Sequence, residues 1–244
     1  MSRERAGRVA ALYDIHGNVP ALEAVLSEVE GAGVELVVVG GDVAWGPMPR
    51  EALEIVTQLE ARTLFVRGNA DREVAARDLS GDRAVAAVTL WCADQLAPAH
   101  LEFMAAWPAT VSVDIAGLGP TLFCHGSPRA DDESITTATA DAQLADMVAD
   151  AAERVVVCGH THAQFERRAA GRLVVNAGSV GLQFGERAAY WALVGPGVDL
   201  RATPYDVDAA ADRIRRSGCP DAAGFAEHVL APPPASTAAD IFTD

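Results

Sequence analysis

The chain has 244 residues, 50% hydrophobic and 22% charged, which suits one large soluble domain able to bury its core without disulfide or metal staples. Its 19 basic residues are all Arg and face 34 acidic ones, a net charge of −15. The lack of lysine excludes a Walker-type phosphate loop, a kinase, a pyridoxal Schiff base and a lysine aldolase, and the acidic balance argues against stable nucleic-acid binding.

Arg8–Tyr13 is a short apolar run and predicts a buried strand. Pro20 suits a first helical turn, and Leu22, Val25, Leu26 and Val29 repeat at helical spacing until Gly31 and Gly33 stop the helix. Leu36–Val39 predicts a second strand, Ala52, Ile55, Val56 and Leu59 a second helix, and Leu64–Val66 a third strand. This alternation implies parallel strands joined by right-handed crossovers. Residues 72–107 read as a helical insertion over the sheet edge, with Val85, Val88, Trp91 and Cys92 on one face and a second helix from Pro98. Val111–Ile115 and Thr121–Cys124 flank a Gly-Leu-Gly-Pro turn and predict a hairpin. Leu144, Met147, Val148 and Ala151 form a helical stripe; Val155–Cys158, Leu173–Val175, Tyr190–Val194 and Val198–Thr203 predict strands. Helices are expected over Asp206–Arg216 and Asp221–Leu230. The reading is one domain over 1–230 and a disordered tail over 231–244, where Pro232-Pro233-Pro234 breaks the pattern.

Cys92, Cys124, Cys158 and Cys219 form no CxxC pair and read as reduced thiols. The apolar run near the N-terminus ends at Asp14, too short for a signal peptide, and no stretch approaches the ~20 apolar residues of a membrane helix. A cytoplasmic protein with no membrane partner is expected.

Five short motifs each follow a predicted strand: Asp14-Ile15-His16-Gly17-Asn18, Gly41-Asp42, Gly68-Asn69-Ala70-Asp71, Cys124-His125-Gly126-Ser127 and Gly159-His160-Thr161-His162. In α/β sheets, loops beyond the carboxyl ends of the strands converge on ligands. Four of the six His residues sit in these loops. Two Asp, one Asn and four His make a nitrogen and oxygen ligand set without thiolate, suited to Mn²⁺, Fe, Co²⁺ or Zn²⁺. Seven ligands exceed the capacity of one tetrahedral ion and suit two ions sharing a carboxylate, a recurrent device for phosphoester cleavage. Taken singly, Gly159-His160-Thr161-His162 would also fit a mononuclear zinc loop.

Together with Asn176-Ala177-Gly178-Ser179-Val180-Gly181, these motifs resemble, in order, the calcineurin-like metallophosphoesterases, most of all their small bacterial branch. The resemblance spans about residues 8–205. It implies a four-layer α-β-β-α sandwich of two mixed sheets with the insertion at about 72–107. One ion would be held by Asp14, His16, Asp42 and His162, the other by Asp42, Asn69, His125 and His160, with Asp42 and a water or hydroxide as bridges. Mn²⁺ is the foremost candidate, with Fe, Zn²⁺, Co²⁺ and Ni²⁺ admissible. The implied activity is hydrolysis of a small phosphoester or nucleotide-like substrate, diester before monoester, by attack of the bridging hydroxide. Asp42, Asn69 and His125 are the expected catalytic residues. The competing reading is a catalytically weak metal- or nucleotide-binding module on the same scaffold.

Ala70 departs from the family pattern. Many members carry His there, assigned to stabilise the transition state or protonate the leaving oxygen, and Ala70 can do neither. Trp45 stands where classical members often place an acidic residue; it can stack on a nucleobase, but a packing role is favoured. Asp71 is expected to anchor neighbouring backbone. Arg129 fits two roles: a bidentate substrate-binding clamp on phosphate, or an ordinary surface arginine.

Overall fold

The computed structural model describes residues 4–242. Strands β1 (Glu4–Ala6) and β2 (Val9–Leu12) lead into α1 (Val19–Gly31), β3 (Leu36–Val39), α2 (Pro49–Thr57) and β4 (Arg62–Phe65). The insertion follows as α3 (Asn69–Ala76), α4 (Arg83–Gln95) and α5 (Pro98–Ala105). Next come β5 (Thr110–Ile115), β6 (Gly119–Cys124), α6 (Asp141–Met147), β7 (Val155–Cys158), β8 (Phe165–Ala169) and β9 (Arg172–Asn176). The chain continues through β10 (Ala189–Val194), β11 (Val198–Thr203), α7 (Val207–Arg215), α8 (Ala222–Leu230) and α9 (Ala238–Ile241).

The strands form two mixed sheets, ordered β1-β5-β6-β7-β9-β8 and β11-β10-β2-β3-β4. Alternation along each strand sorts side chains into layers. Val9, Ala11 and Tyr13 face Val113, Phe123 and Val157 across the space between the sheets. Ala10 and Leu12, one residue out of phase, pack under Leu22 of α1 and Leu53 of α2. On the other outer face Leu144 and Met147 of α6 cover Cys124, Val156 and Cys158. The result is a four-layer α-β-β-α sandwich. Because both faces of the central strands are covered, Leu36–Val39 can be apolar at every position. No helix among the described residues is long and apolar enough to cross a membrane.

Two strands escape the sequence pattern. β1 is three residues long and mostly exposed, and β8 carries Glu166, Arg167 and Arg168 on an edge. Both are held by pairing, β1 parallel to β5 and β8 antiparallel to β9, rather than by an apolar signature. The insertion begins earlier than expected, because Asn69 is the first residue of α3 and not a loop residue.

The tail also differs from expectation. Ala235–Thr237 make a turn of 3-10 helix and α9 follows. Gly185 N–H donates to the Pro233 carbonyl at 2.8 Å, and Ala238 is buried against Ala163 and Phe184. Sparse apolar residues, too few to show periodicity, supply these contacts. Residues 243–244 of the expected disordered tail lie outside the described residues.

The five motif loops leave the same end of the strands because β2, β3 and β4 run parallel, as do β6, β7 and β9. Two buried side chains hold the loops in place. Asn176, at the end of β9, donates to the Gly159 carbonyl at 2.7 Å and to Thr161 Oγ1 at 3.0 Å. Asp71 accepts from the N–H groups of Asp42 at 2.7 Å, Val43 at 2.9 Å, and Ala44 and Gly68 at 3.3 Å. It thereby joins the loop after β3 to the start of α3. Asp71→Ala would leave buried N–H groups without an acceptor. We expect it to lower the stability of the metal-free protein by about 3 kcal/mol or more, read as the shift in its urea unfolding midpoint.

Candidate metal centre

The loop after β2 carries Asp14 and His16; the loop after β3 carries Asp42. Asn69 opens α3, His125 follows β6, and His160 and His162 follow β7. The structure brings these seven into one crevice. Six fall into two clusters, Asp14 with His16 and His162, and Asp42 with His125 and His160, consistent with a dinuclear metal centre. Within each cluster the ligand atoms lie within 4.8 Å of one another. Asn69 lines the cavity they share, and its Oδ1 is buried.

The backbone is bent to make this possible. Asp14, His16, Asp42, His160 and His162 all have positive φ, between 46° and 64°. Non-glycine residues adopt this region at a cost of about 1 kcal/mol or more each, and it clusters at functional sites. The loops also need a close approach. At Gly68 a Cβ would lie 2.1 Å from Asp42 Oδ1, so only glycine lets α3 start against that carboxylate.

The ligand atoms are aimed. The Nδ1 atoms of His16, His125 and His162 lie 3.0, 2.8 and 2.8 Å from the carbonyls of Trp45, Gly40 and Leu182. Donation of Nδ1–H there leaves each Nε2 facing the crevice, the usual orientation device for metal-binding imidazoles. Each carboxylate has one oxygen tied to backbone: Asp14 Oδ2 accepts from His160 N–H, and Asp42 Oδ1 from Ala70 N–H, both at 2.9 Å. The other oxygens point inward. Asp14 Oδ1 is 3.4 Å from His162 Nε2, and Asp42 Oδ2 is 3.3 Å from His125 Nε2. His16 Nε2 and His162 Nε2 are 3.2 Å apart. Ligands ~2.1 Å from a common ion stand roughly 3–3.4 Å from each other, so these spacings fit bound metal. Asp14 Oδ1, Asn69 Oδ1 and His125 Nε2 are buried without a hydrogen-bond partner, as groups that face cations would be.

Titration in the metal-free protein follows from this crowding. Burial, then the neighbouring His162, pushes His16 down to about 4; burial and His125 do the same to His160, also about 4. His125 goes the other way. Burial disfavours its cation, but Asp42 and Asp14 outweigh burial and hold its pKa at about 10. Asp42 opposes burial with the same imidazole and stays well below the usual carboxylate range. Burial and Asp42 push Asp71 up to about 7, against the backbone N–H donors that it accepts.

The remaining sequence candidates divide. Trp45 packs: its Nε1 donates to Thr89 Oγ1 at 3.1 Å, its ring meets Phe225 at 5.4 Å and the edge of His16 at 5.7 Å. Asn18 caps α1 and donates to the Gly181 carbonyl at 3.0 Å, so it anchors the first motif to the last. Arg129 is not brought to the site. It is exposed, and its guanidinium is shared between Glu133 and Asp146, the latter at 2.8 Å. The carboxylates hold it where a clamp on substrate phosphate would need it free. Two residues at the site had no motif to mark them. Glu73 lines the crevice one helical turn after Asn69, and that i, i+4 spacing was the one available signal. Phe242 meets His160 and His162 from the tail.

Comparisons with known proteins agree with this geometry. Residues 8–195 match the family model of the calcineurin-like phosphoesterase superfamily domain. An uncharacterised protein of Methanocaldococcus jannaschii, MJ0912, is 27% identical over 177 residues, covering 70% of this chain and 69% of that protein. The crystal structure of a metallophosphoesterase from Sphaerobacter thermophilus superposes with a TM-score of 0.75 at 27% identity, over 93% of this chain and 99% of that one. The hypothetical protein PH1004 of Pyrococcus horikoshii shares the fold, with a TM-score of 0.81 at 22% identity over 92% and 98% of the two chains. With two ligand clusters at the ends of parallel strands, the chain belongs to the calcineurin-like phosphoesterase superfamily, as a metal-dependent hydrolase.

Proposed function

We propose that the chain hydrolyses small phosphoesters, diesters before monoesters, at a centre of two divalent metal ions. The observation that carries this reading is the pair of ligand clusters, Asp14 with His16 and His162 and Asp42 with His125 and His160, whose ligand atoms lie within 4.8 Å of one another in each. Asp14, His16, Asp42 and His162 would hold one ion; Asp42, Asn69, His125 and His160 the other. Asp42 suits the shared position, because its Oδ2 lies 3.7 Å from His16 Nε2 in one cluster and 3.3 Å from His125 Nε2 in the other. The nitrogen and oxygen donors, without thiolate, suit Mn²⁺, Fe, Co²⁺ or Zn²⁺, and Mn²⁺ is the ion we put first. The first and last motifs favour the small bacterial branch of the family, working in the cytoplasm.

Divalent ions held by these residues would supply Lewis acidity toward a phosphoryl oxygen and a lowered pKa for bound water. The chain's own residues do the rest. Asp14 and Asp42 supply the negative charge, and their backbone N–H partners keep one oxygen of each turned inward. Backbone carbonyls fix the imidazole tautomers. Glu73, one turn after Asn69 on α3, is placed to take the Asn69 amide and leave its buried Oδ1 for an ion. Ala70 contributes its N–H to Asp42 and has no proton to give a leaving group. None of the seven expected ligands is displaced from the crevice, which favours turnover over a binding-only module.

Metal titration followed by elemental analysis should plateau at two ions per chain. Asp42→Asn should lose most bound metal at both positions, whereas Asn69→Ala should weaken one; equal occupancy in Asp42→Asn and wild type would remove Asp42 from the shared position. Uptake should also release protons. Below a pKa of about 10 His125 holds a proton that a metal must displace, while His16 and His160, at about 4, are already neutral at pH 8. We expect at least one proton released per chain at pH 8, from His125, with ionisation of metal-bound water adding to it, measured with an indicator in weak buffer, and apparent affinity that rises with pH until His125 deprotonates. Across aryl phosphodiesters of graded leaving-group pKa the rate should fall steeply, because an acid at position 70, typically worth roughly 10²–10⁴-fold, is missing. Ala70→His should flatten that slope.

A further inference from the structure

The cavity at the metal centre is lined by two unlike groups of residues. One is drawn from the expected ligands, His16, Asp42, Asn69, His160 and His162. The other is apolar: Trp45, Ala70, Val85, Leu182 and Phe242. Its volume is about 210 Å³, against ~150 Å³ for a cavity that holds benzene. Among the described residues no arginine lines it, and its one carboxylate outside the expected ligand set is Glu73.

Phe242 is held where it can serve a ligand. Its ring centroid is 5.5 Å from His160, 5.7 Å from His162 and 6.1 Å from Phe184. The segment that carries it is pinned at Pro233 by Gly185 N–H and at Ala238 by burial. Trp45 is fixed in turn by Thr89 and Phe225. An aromatic surface already held in place loses little entropy on contact with a ligand.

We propose that this wall recognises the ester group of the substrate, and that the substrate is a phosphoester with a single phosphoryl group and a flat, uncharged, apolar substituent that packs on Phe242, Trp45 and Leu182. This rests on the phosphoesterase reading. The charge pattern sets the class. Away from the proposed ions, a second phosphate, or a carboxylate on the substituent, would find Glu73 and no arginine in the lining, so the site selects against polyanionic esters. The apolar wall leaves a small alkyl ester with little to touch.

The test uses ligands that cannot be hydrolysed. Phenylphosphonate, methylphosphonate and 4-carboxyphenylphosphonate are titrated calorimetrically into Mn²⁺-loaded full-length protein. Phenylphosphonate should bind about tenfold more tightly than methylphosphonate, the size of one aromatic contact with its buried area. The carboxylated ring should bind more weakly than the plain one. Phe242→Ala should cut the phenyl-to-methyl ratio about tenfold, and Phe242→Tyr should keep it. Melting curves and metal content of each variant separate loss of the wall from loss of the fold. Equal affinity for phenyl- and methylphosphonate in the wild type overturns the proposal, as does a ratio unchanged in Phe242→Ala. If Phe242→Ala does not fold, the wild-type preference for the plain over the carboxylated ring decides. Hydrolysis of bis(4-nitrophenyl) phosphate by the same preparation reads the activity separately. Turnover without ring preference overturns the wall alone. Ring preference without turnover overturns the activity and supports the wall.

Discussion

Asp42 Oδ1 accepts the N–H of Ala70, and the N–H of Asp42 itself is accepted by Asp71. These two reciprocal bonds lock the loop after β3 to the first turn of α3. They set the direction of Asp42 Oδ2, the oxygen that stands between the two imidazole clusters. They also set where Asn69 emerges, since Asn69 and Asp71 share that turn. The absence of a side chain at Gly68 is a condition for both, because a Cβ there would occupy the place of the carboxylate. Around this pair the remaining ligands are satellites. Asp14 is tied to the loop after β7 through His160 N–H, and that loop is stapled by Asn176.

Such an arrangement is costly in the metal-free state. Five of the expected ligands hold left-handed backbone, and imidazole lone pairs approach each other to 3.2 Å. Burial compounds this, since Asp14 and His125 are fully enclosed. Part of the tension is relieved by a proton shared electrostatically between His125 and the two aspartates, which is why burial fails to make that imidazole neutral. The sandwich provides the rest. Both sheets are covered on both faces, so their strand ends are stiff enough to keep strained loops in register. Divalent cations would replace lone-pair repulsion with attraction, which makes the ligand set an argument for metal rather than for a hydrogen-bond network.

The crevice is not symmetrical in character. Its lining combines the polar expected ligands with apolar residues, of which Val85 comes from the insertion and Phe242 from the tail, alongside Trp45 and Leu182. The insertion and the tail are therefore part of the site and not decoration. Arg129, two residues beyond the Cys124–Ser127 motif, is instead bound by Glu133 and Asp146 on the surface. A net charge of −15 and a cationless cavity leave the proposed ions as the attraction for an anionic substrate.

Most strands of the sandwich, and the residues that converge on the crevice at their ends, were legible in the sequence, for a simple reason. Runs such as Leu36–Val39 are apolar because both faces are buried, and Asp14, His16, Asp42, Asn69, His125, His160 and His162 follow such runs. Rare polar residues placed just beyond buried strands report a site whatever the intervening chain does. The short edge strands β1 and β8 were not legible, because Ala6 in one and Phe165 and Ala169 in the other are too few buried residues to leave an apolar period, and backbone pairing supplies the rest. Nor was the order of the tail, where single contacts at Pro233, Ala238 and Phe242 replace a periodic face. The conformation of the ligands, the aim of each Nε2, the direction of Asp42 Oδ2 and the capture of Arg129 by two carboxylates were decided by tertiary structure alone. Each depends on an atom brought from a distant part of the chain or from across a turn, and sequence spacing carries no information about direction.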